Sequence, residues 1–203
     1  MIKIYGNKIS GACHKVFYTA ILAGVEYEVK EIDFQKDLKT EWYLKIHPAG
    51  KIPAMDDDGF ILFESGAISK YICQKSGSEL YPKEIKKQAI VEQWIDFSNL
   101  HVGTAMSKVA YAKIFAPMRN MPVDEASLKE GYELLKRFLP IVDNELGKNE
   151  FLGGNKLTLA DLTLIAVLGY AKKAEYDLSQ FKNLFAWHQR IENMDFYKKV
   201  NNT

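Results

Sequence analysis

The spacing of apolar residues changes along the first third of the chain and predicts alternating strands and helices. Residues 2–5 alternate apolar and polar side chains, as a strand does. From residue 13 to residue 24 apolar or small residues recur every three or four positions, which predicts a helix with Ser10 as its N-cap and Gly24 as its C-cap. Residues 25–33 alternate again, so a parallel βαβ unit is predicted.

A β-hairpin is predicted downstream of this unit. The apolar runs Pro53–Asp56 and Phe60–Phe63 flank the segment Asp-Asp-Gly, and Asp-Gly between two such runs is a strong hairpin signal. A proline is tolerated at the first residue of a strand. We hypothesise that the Ile52–Pro53 peptide bond is cis, which would turn the backbone groups of Ile52 outward toward an extended peptide ligand; an ordinary trans bond is the alternative.

Two further helices and a linker complete the N-terminal half. Gln35–Ile46 is predicted to form a weaker helix, and Ser65–Lys75 a helix that packs on the sheet. Residues 77–84 are small and polar and are predicted to be a linker. Strand signals stop beyond them. We therefore predict an α/β thioredoxin-like domain over residues 1–76 and an all-α domain over residues 85–203.

Long helical patterns dominate the C-terminal half. Ile85–Phe115 is predicted to be one long helix, followed by a loop over residues 116–123 with two prolines. Asp124 is the predicted N-cap of a helix that reaches about Leu146, and Pro140 should bend or interrupt it.

A capping box is the sharpest local signal of this half. Thr158 is followed three residues later by Asp161, and Leu157 and Leu162 are spaced as a hydrophobic staple. The helix Leu162–Ala171 is apolar nearly all round, which predicts a buried central helix. Truncating Asp161 is expected to cost about 1 kcal/mol for the cap alone, and more if the residue is buried.

Composition and charge narrow the possible functions. The 27 basic and 26 acidic residues nearly cancel, which does not favour a nucleic acid or an anionic membrane as a partner. Two cysteines make no disulfide framework, and four scattered histidines show no metal-ligand spacing. The first residues contain no signal core, and the longest apolar run is far shorter than the ~18 residues of a membrane span. We expect a cytoplasmic, reduced protein without metal.

The motif Pro-x-Gly-x-Ile-Pro, followed about ten residues later by Glu-Ser at a helix start, resembles the glutathione-binding half of the cytosolic glutathione transferases. It comprises Pro48, Gly50, Ile52, Pro53, Glu64 and Ser65. The capping box also resembles that family, so the resemblance spans nearly the whole chain. It implies a homodimeric detoxification enzyme that joins the glutathione thiolate to hydrophobic electrophiles, with glutathione as co-substrate and no cofactor.

The physics of the motif suits a tripeptide ligand. Ser65 opens a helix, whose free N–H groups and positive dipole end favour a carboxylate, and Glu64 supplies a negative charge for an ammonium. Together they match the γ-glutamyl end of glutathione. The resemblance further implies that the Ile52–Pro53 segment pairs with the cysteinyl unit and that Lys39 and Lys51 approach the glycyl carboxylate.

Three residues compete as activators of the glutathione thiol. The thiolate is the nucleophile, and a hydroxyl donor at a helix N-terminus lowers the thiol pKa from about 8.5. Gly-x-x-x-Ser leading to Lys15-Val16 resembles the serine-type enzymes of the phi and theta-like classes, which favours Ser10. Cys13 superficially resembles the beta-class cysteine. Tyr5 lies close to the position of the donor in tyrosine-type enzymes.

The resemblance also bears on the second substrate and on the class of glutathione transferase. Two residues depart from the phi pattern: Leu38 stands where a histidine is common, and His47 where an asparagine is usual. The family layout implies that an apolar wall for the electrophile is formed by Phe34, Leu38, Tyr111, Phe115 and Met118.

Two rival functions remain open at this stage. One is a glutathione oxidoreductase or lyase that works through a mixed disulfide on Cys13. The other is a non-catalytic binding protein on the same fold, because a fold does not fix a function.

Overall fold

A computed structural model describes residues 1–201. The sheet has four strands in the order β2-β1-β3-β4, with β1 parallel to β2 and antiparallel to β3, and β3 antiparallel to β4. This arrangement confirms the predicted thioredoxin-like topology. The strands are β1 (Ile2–Gly6), β2 (Tyr27–Glu31), β3 (Ala54–Asp57) and β4 (Phe60–Phe63).

Helix α1 (Gly11–Leu22) connects the two parallel strands. The Ser10 side chain caps it by accepting a hydrogen bond from the Cys13 N–H at 3.4 Å. The chain leaves the helix at Ala23 and turns at Gly24, whose φ of +66° favours glycine. The predicted N-cap at Ser10 is confirmed, whereas the C-cap is Ala23, one residue before the predicted Gly24.

The helix predicted over Gln35–Ile46 is wrong for its first half. Only α2 (Glu41–Leu44) is helical, and turns precede it. The Asp33 carboxylate accepts a hydrogen bond from the Gln35 N–H, and the Asp37 carboxylate accepts one from the Asp33 N–H, each at 2.8 Å. These local hydrogen bonds compete with a helix and hold the segment in turns.

The predicted hairpin is confirmed. Asp58 and Gly59 have φ values of +51° and +92°, as expected for a tight turn between antiparallel strands. The Asp56 carboxylate accepts a hydrogen bond from the Gly59 N–H at 2.7 Å. Helix α3 (Ser65–Ser76) follows and ends at Gly77.

A long helical run opens the C-terminal half and continues beyond its predicted end at Phe115. Two π-helical segments interrupt its α-helical hydrogen bonding. Its parts are α4 (Ile85–Asp96), the first π segment (Phe97–Gly103), α5 (Thr104–Ala110), the second π segment (Tyr111–Phe115) and α6 (Ala116–Met118).

Helix α7 (Glu125–Leu146) begins at the predicted cap Asp124 and continues through Pro140. Of the two effects predicted for the proline, the interruption is therefore wrong, and the bend stays a prediction. Leu139 and Val142 on either side of the proline are fully buried, so core packing holds both halves of the helix.

Helix α8 (Leu159–Leu168) contains the buried carboxylate of Asp161. The carboxylate accepts hydrogen bonds from the Leu152 N–H at 2.9 Å, from the Thr158 N–H and hydroxyl at 3.0 Å, and from the Trp187 indole N–H at 3.2 Å. The capping box is confirmed, and Asp161 also ties together three segments of the core. Burial raises the pKa of Asp161 to about 6.

The chain forms two compact units. One comprises residues 1–82 together with the segment from Met194 onward, and the other is Lys83–Asn193. Helix α9 (Lys182–Glu192) belongs to the second unit, whereas α10 (Asp195–Asn201) packs on α1 of the first. The sequence predicts one helical domain over residues 85–203, whereas in the structure the last helix belongs to the first unit. Within residues 1–201 no helix has the length and apolar character needed to cross a membrane.

Candidate functional site

The Ile52–Pro53 peptide bond is cis, as hypothesised. Ile52 is half-buried and precedes β3. Within residues 1–201 its backbone N–H and C=O enter no backbone hydrogen bond. The loop beside it is anchored, because the Tyr43 hydroxyl donates a hydrogen bond to the Lys51 carbonyl at 2.7 Å. An anchored segment with free backbone groups can pair with an extended ligand.

Gly50 shapes this loop. It has a φ of +57°, and a Cβ built on it would lie 2.6 Å from the carbonyl oxygen of Leu38. Any larger residue would push the loop away from the turn that contains Leu38. The glycine of the sequence motif therefore sets the path of the chain toward Ile52.

The N-terminus of α3 lies directly after β4. Glu64 occupies the N-cap position with a φ of +73°, which is uncommon for a residue with a side chain, and it is exposed. Among the described residues its side chain accepts no capping hydrogen bond from the helix. Ser65 is the first helical residue. The first N–H groups of α3 thus remain available to an anionic ligand beside an acidic side chain.

Lys39 and Lys51 are both exposed. Lys39 lies in the turns before α2, and Lys51 lies directly before Ile52. The positive charges of Lys39 and Lys51 would favour the binding of a ligand carboxylate by these two segments.

The three candidate thiol activators differ in their surroundings. Ser10 is 9% exposed at the N-terminus of α1. Cys13 is fully buried, and burial raises the pKa of its thiol to about 11, although hydrogen bonds to Asn7 and Ser10 oppose this. Such a thiol stays protonated at neutral pH and is a poor nucleophile. Tyr5 lies within β1 and packs edge-on against Tyr43, with 6.5 Å between the ring centroids.

Two buried basic residues of the first unit were not assigned a role from the sequence. Lys15 is 5% exposed, and burial lowers the pKa of its ammonium to about 8, whereas Glu64 opposes this by attraction. His47 is 2% exposed, and its Nδ1 has no hydrogen-bond partner in the described part of the chain. Burial lowers the pKa of His47, again against an attraction to Glu64. In the sequence, Lys15 stands out only as part of the serine-type motif Gly-x-x-x-Ser leading to Lys-Val. His47 stands out only as a departure from the phi pattern.

The residues predicted as an apolar wall are distributed over both units. In the first unit, Phe34 is 42% exposed and Leu38 is half-buried. Phe34 borders a cavity of about 480 Å³ next to Asn7, with acidic side chains around it. In the second unit, Tyr111 and Met118 are exposed, and the half-buried Phe115 packs edge-on against Tyr170.

Possible metal-ligating groups were sought in the part of the chain that the structure describes. No three residues among its histidines, cysteines, aspartates and glutamates are grouped to hold a metal ion.

Known proteins of one family are similar to this chain over nearly its whole length. The family models described as Glutathione S-transferase, N-terminal domain, and Glutathione S-transferase, C-terminal domain, match residues 2–74 and 106–195. Glutathione S-transferase F10 of Arabidopsis thaliana is 33% identical over 190 residues, which cover 90% of this chain and 88% of the relative.

Solved structures of glutathione transferases are also similar to this chain. The structure of glutathione transferase F2 from Populus trichocarpa has a TM-score of 0.93 at 29% identity and covers 100% of this chain and 98% of its own. A glutathione S-transferase-I bound with lactoylglutathione has a TM-score of 0.91 at 28% identity and covers 99% of this chain and 98% of its own.

Proposed function

The chain belongs to the glutathione S-transferase family, and we propose that the loop before β3 and the N-terminus of α3 bind its co-substrate, glutathione. The protein is a glutathione transferase. The free backbone groups of Ile52 next to the uncapped start of α3 carry the assignment of the site. The backbone groups of Ile52 suit the middle of a short peptide, and the start of α3 suits a terminal carboxylate.

The γ-glutamyl end of glutathione fits the start of α3. Its carboxylate would accept hydrogen bonds from Ser65 and the first N–H groups of the helix. Its ammonium would lie against the exposed Glu64 carboxylate. A zwitterion of this kind needs both signs of charge within a few ångströms: Glu64 supplies the negative charge, and the N–H groups and dipole at the start of α3 supply the positive potential.

The remaining two units of glutathione fit the loop. The cysteinyl backbone would pair with the N–H and C=O of Ile52, as an added strand does. Pro53, directly after it, has no N–H and is buried, so it leaves this pairing to Ile52. The glycyl carboxylate would then meet the ammonium groups of Lys39 and Lys51.

Ser10 is proposed to stabilise the thiolate. A hydroxyl has one proton to donate and two lone pairs to accept with. The Ser10 oxygen accepts a hydrogen bond from the Cys13 N–H, and its one proton would be donated to the glutathione sulfur in place of the Cys13 sulfur. The dipole of α1 adds a positive potential at the same place.

The second substrate is proposed to be a small hydrophobic electrophile. The thiolate would attack an electrophilic carbon and form a carbon–sulfur bond, and the electron pair of the broken bond would leave with the displaced group. The exposed ring of Phe34 supports an apolar contact. The buried, protonated Cys13 does not favour the rival oxidoreductase that forms a mixed disulfide.

Glu64→Gln tests the proposed glutathione site. We expect titration calorimetry to show glutathione binding weakened about 10- to 100-fold, because a charge-assisted hydrogen bond to the ligand ammonium is lost. Glu26→Gln removes an exposed carboxylate elsewhere in the same unit and should leave the affinity unchanged. Equal affinities for the wild type and Glu64→Gln would remove Glu64 from the site.

A homodimer is also proposed, formed at least in part through β4. This strand is one of the two edge strands of the sheet, and Phe60, Ile61 and Phe63 are 51%, 38% and 41% exposed. An apolar edge of this kind is typical of an interaction surface. The free, buried thiols of Cys13 and Cys73 further support a reducing location, which we propose to be the cytoplasm.

Phe60→Glu tests the dimer. It should raise the dimer dissociation constant by about 100-fold or more, because a charge replaces a large apolar anchor. Light scattering coupled to size-exclusion chromatography measures the mass. Leu22→Glu, a similar change at a partly exposed position of α1, should leave the dimer intact. A Phe60→Glu protein that remains dimeric would exclude this residue from the interface.

A further inference from the structure

We propose that Gly6 is a positioning residue: because it has no side chain, the first turn of α1 lies close enough to β1 to place the Ser10 hydroxyl beside the glutathione sulfur. This role rests on the proposed function of Ser10 as the donor to the thiolate, and it accounts for the glycine that begins the serine-type motif. The evidence is a close approach between Gly6 and the buried sulfur of Cys13, and the contacts that join this sulfur to Ser10.

The backbone at Gly6 does not itself require a glycine. Gly6 is buried at the end of β1, where it pairs with Glu31 of β2, and its carbonyl oxygen accepts a hydrogen bond from the Ile32 N–H at 3.0 Å. Its φ lies outside the left-handed region, so the backbone conformation alone would accept an alanine. The need for a glycine therefore comes from the atoms that surround it.

The atom that excludes a side chain is the sulfur of Cys13. A Cβ built on Gly6 would lie 2.6 Å from the Cys13 Sγ, whereas the Cβ atoms of Cys13 and Pro53 would be at ordinary distances of 3.5 and 3.9 Å. Cys13 is fully buried in the first turn of α1, so its sulfur is packed on all sides. An alanine would have to displace the sulfur by about 0.8 Å, from 2.6 Å to the 3.4 Å at which ordinary contacts begin.

A displacement of this sulfur reaches Ser10 directly. The Cys13 sulfur is hydrogen-bonded to the Ser10 side chain and to the Asn7 backbone, and the Cys13 N–H donates to the Ser10 oxygen at 3.4 Å. Ser10 and Cys13 contact each other through both groups, so a shift of the sulfur also moves the hydroxyl. A hydrogen bond to the ligand thiolate depends steeply on distance and angle, and a misplacement of about 1 Å weakens it strongly.

Gly6→Ala should raise the pKa of the bound glutathione thiol by about half to one pH unit, because the donor is displaced but not lost. Ultraviolet difference absorbance of the thiolate measures this pKa. S-methylglutathione has no thiol to ionise, and its affinity in titration calorimetry should change less than about twofold. A residue that supported the whole ligand site would weaken the binding of both ligands.

Two double variants show whether the alanine acts through the sulfur and the serine. In Gly6→Ala/Cys13→Ala the sulfur is absent, and the new Cβ has only ordinary contacts with Pro53 and with residue 13. The thiol pKa should then return to that of Cys13→Ala. Gly6→Ala/Ser10→Ala should have the thiol pKa of Ser10→Ala, because a donor that is absent cannot be displaced.

Gly153→Ala is the matched control. Gly153 lies in the second unit, and a Cβ built on it would lie 2.8 Å from the Cγ2 of Thr158. The same substitution is thus made at a similarly crowded glycine. Both alanines should lower the temperature of thermal unfolding by a few degrees, because overpacking is destabilising. Only Gly6→Ala should change the thiol pKa.

Four results would each overturn the role of Gly6. They are an unchanged thiol pKa in Gly6→Ala, an equal rise in Gly153→Ala, no recovery in Gly6→Ala/Cys13→Ala, and a rise that adds to that of Ser10→Ala. If Gly6→Ala does not fold, Gly6→Ala/Cys13→Ser takes its place, because the smaller oxygen leaves part of the clash. Its thiol pKa should still exceed that of Cys13→Ser.

Failure of the proposed function is recognised separately. A wild type that does not bind S-methylglutathione would refute the glutathione site, and an unchanged thiol pKa in Ser10→Ala would refute the donor. Either result would overturn the role of Gly6 with it. Normal binding, a raised thiol pKa in Ser10→Ala and an unchanged one in Gly6→Ala would refute the role of Gly6 alone.

Discussion

Asp161→Ala should lower the free energy of unfolding by about 4 kcal/mol, far more than an ordinary helix cap. The carboxylate accepts hydrogen bonds from Leu152, Thr158 and Trp187, and all of these donors would be left buried without a partner. Each orphaned donor costs about 1–3 kcal/mol. Urea unfolding followed by fluorescence measures the change.

Asp124→Ala is the matched control. Asp124 also caps a helix, because its carboxylate accepts a hydrogen bond from the Ser127 N–H at 3.0 Å, but it is exposed. Its loss should cost about 1 kcal/mol. Asp161→Ala and Asp124→Ala with equal losses would mean that the buried hydrogen bonds add nothing to the cap.

The pH dependence of stability gives a second measure of the Asp161 effect. Burial raises the pKa of Asp161 from 3.8 to about 6, so the folded state binds this proton more tightly than the unfolded state. The stabilisation from this group is therefore complete below the unfolded pKa and is lost as the pH rises toward 6. Asp161→Asn should remove this fall from the stability profile between pH 4 and pH 6.

Ser10→Ala should raise the pKa of the bound glutathione thiol by about one to two pH units, toward the value of about 8.5 for a free thiol. The lost interaction is the hydrogen bond from the serine hydroxyl to the thiolate. Conjugation below the pKa of the bound thiol should slow about 10- to 100-fold, since the fraction of thiolate falls. Ultraviolet difference absorbance of the thiolate gives the pKa directly.

Two variants make the result specific. Ser10→Thr keeps the hydroxyl and should keep the low thiol pKa. Cys13→Ala removes the buried thiol next to Ser10 and should also leave it low. A thiol pKa that is unchanged in Ser10→Ala would transfer the role of donor to Tyr5. Loss of activity in Cys13→Ala but not in Ser10→Ala would support the mixed-disulfide rival.

The features that local chemistry determines could be predicted from the sequence. The Asp-Gly turn, the cap at Ser10 and the capping box at Asp161 each depend on residues within three or four positions of one another. The start of α3 at Glu64 could be predicted for the same reason. The resemblance to a known family then connected these local signals into a fold and a site.

Features that depend on distant or competing contacts could not be predicted. The turns before α2 arise because Asp33 and Asp37 bind backbone N–H groups that a helix would have used. The periodicity of α1 marks the face of Cys13 and Val16 as buried, but Lys15 lies off that face and is buried by tertiary packing. The π segments keep a helical pattern of side chains, so apolar spacing alone does not distinguish them from α-helix.

The return of α10 to α1 has a consequence for the order of synthesis. Tyr18 packs against Phe196 and Tyr197, with 5.3 and 5.7 Å between ring centroids, and its hydroxyl accepts a hydrogen bond from the Asn201 amide at 2.8 Å. These partners leave the ribosome only after the whole helical unit has been translated. The unit that carries the proposed glutathione site is thus the first to be synthesised and the last to be completed.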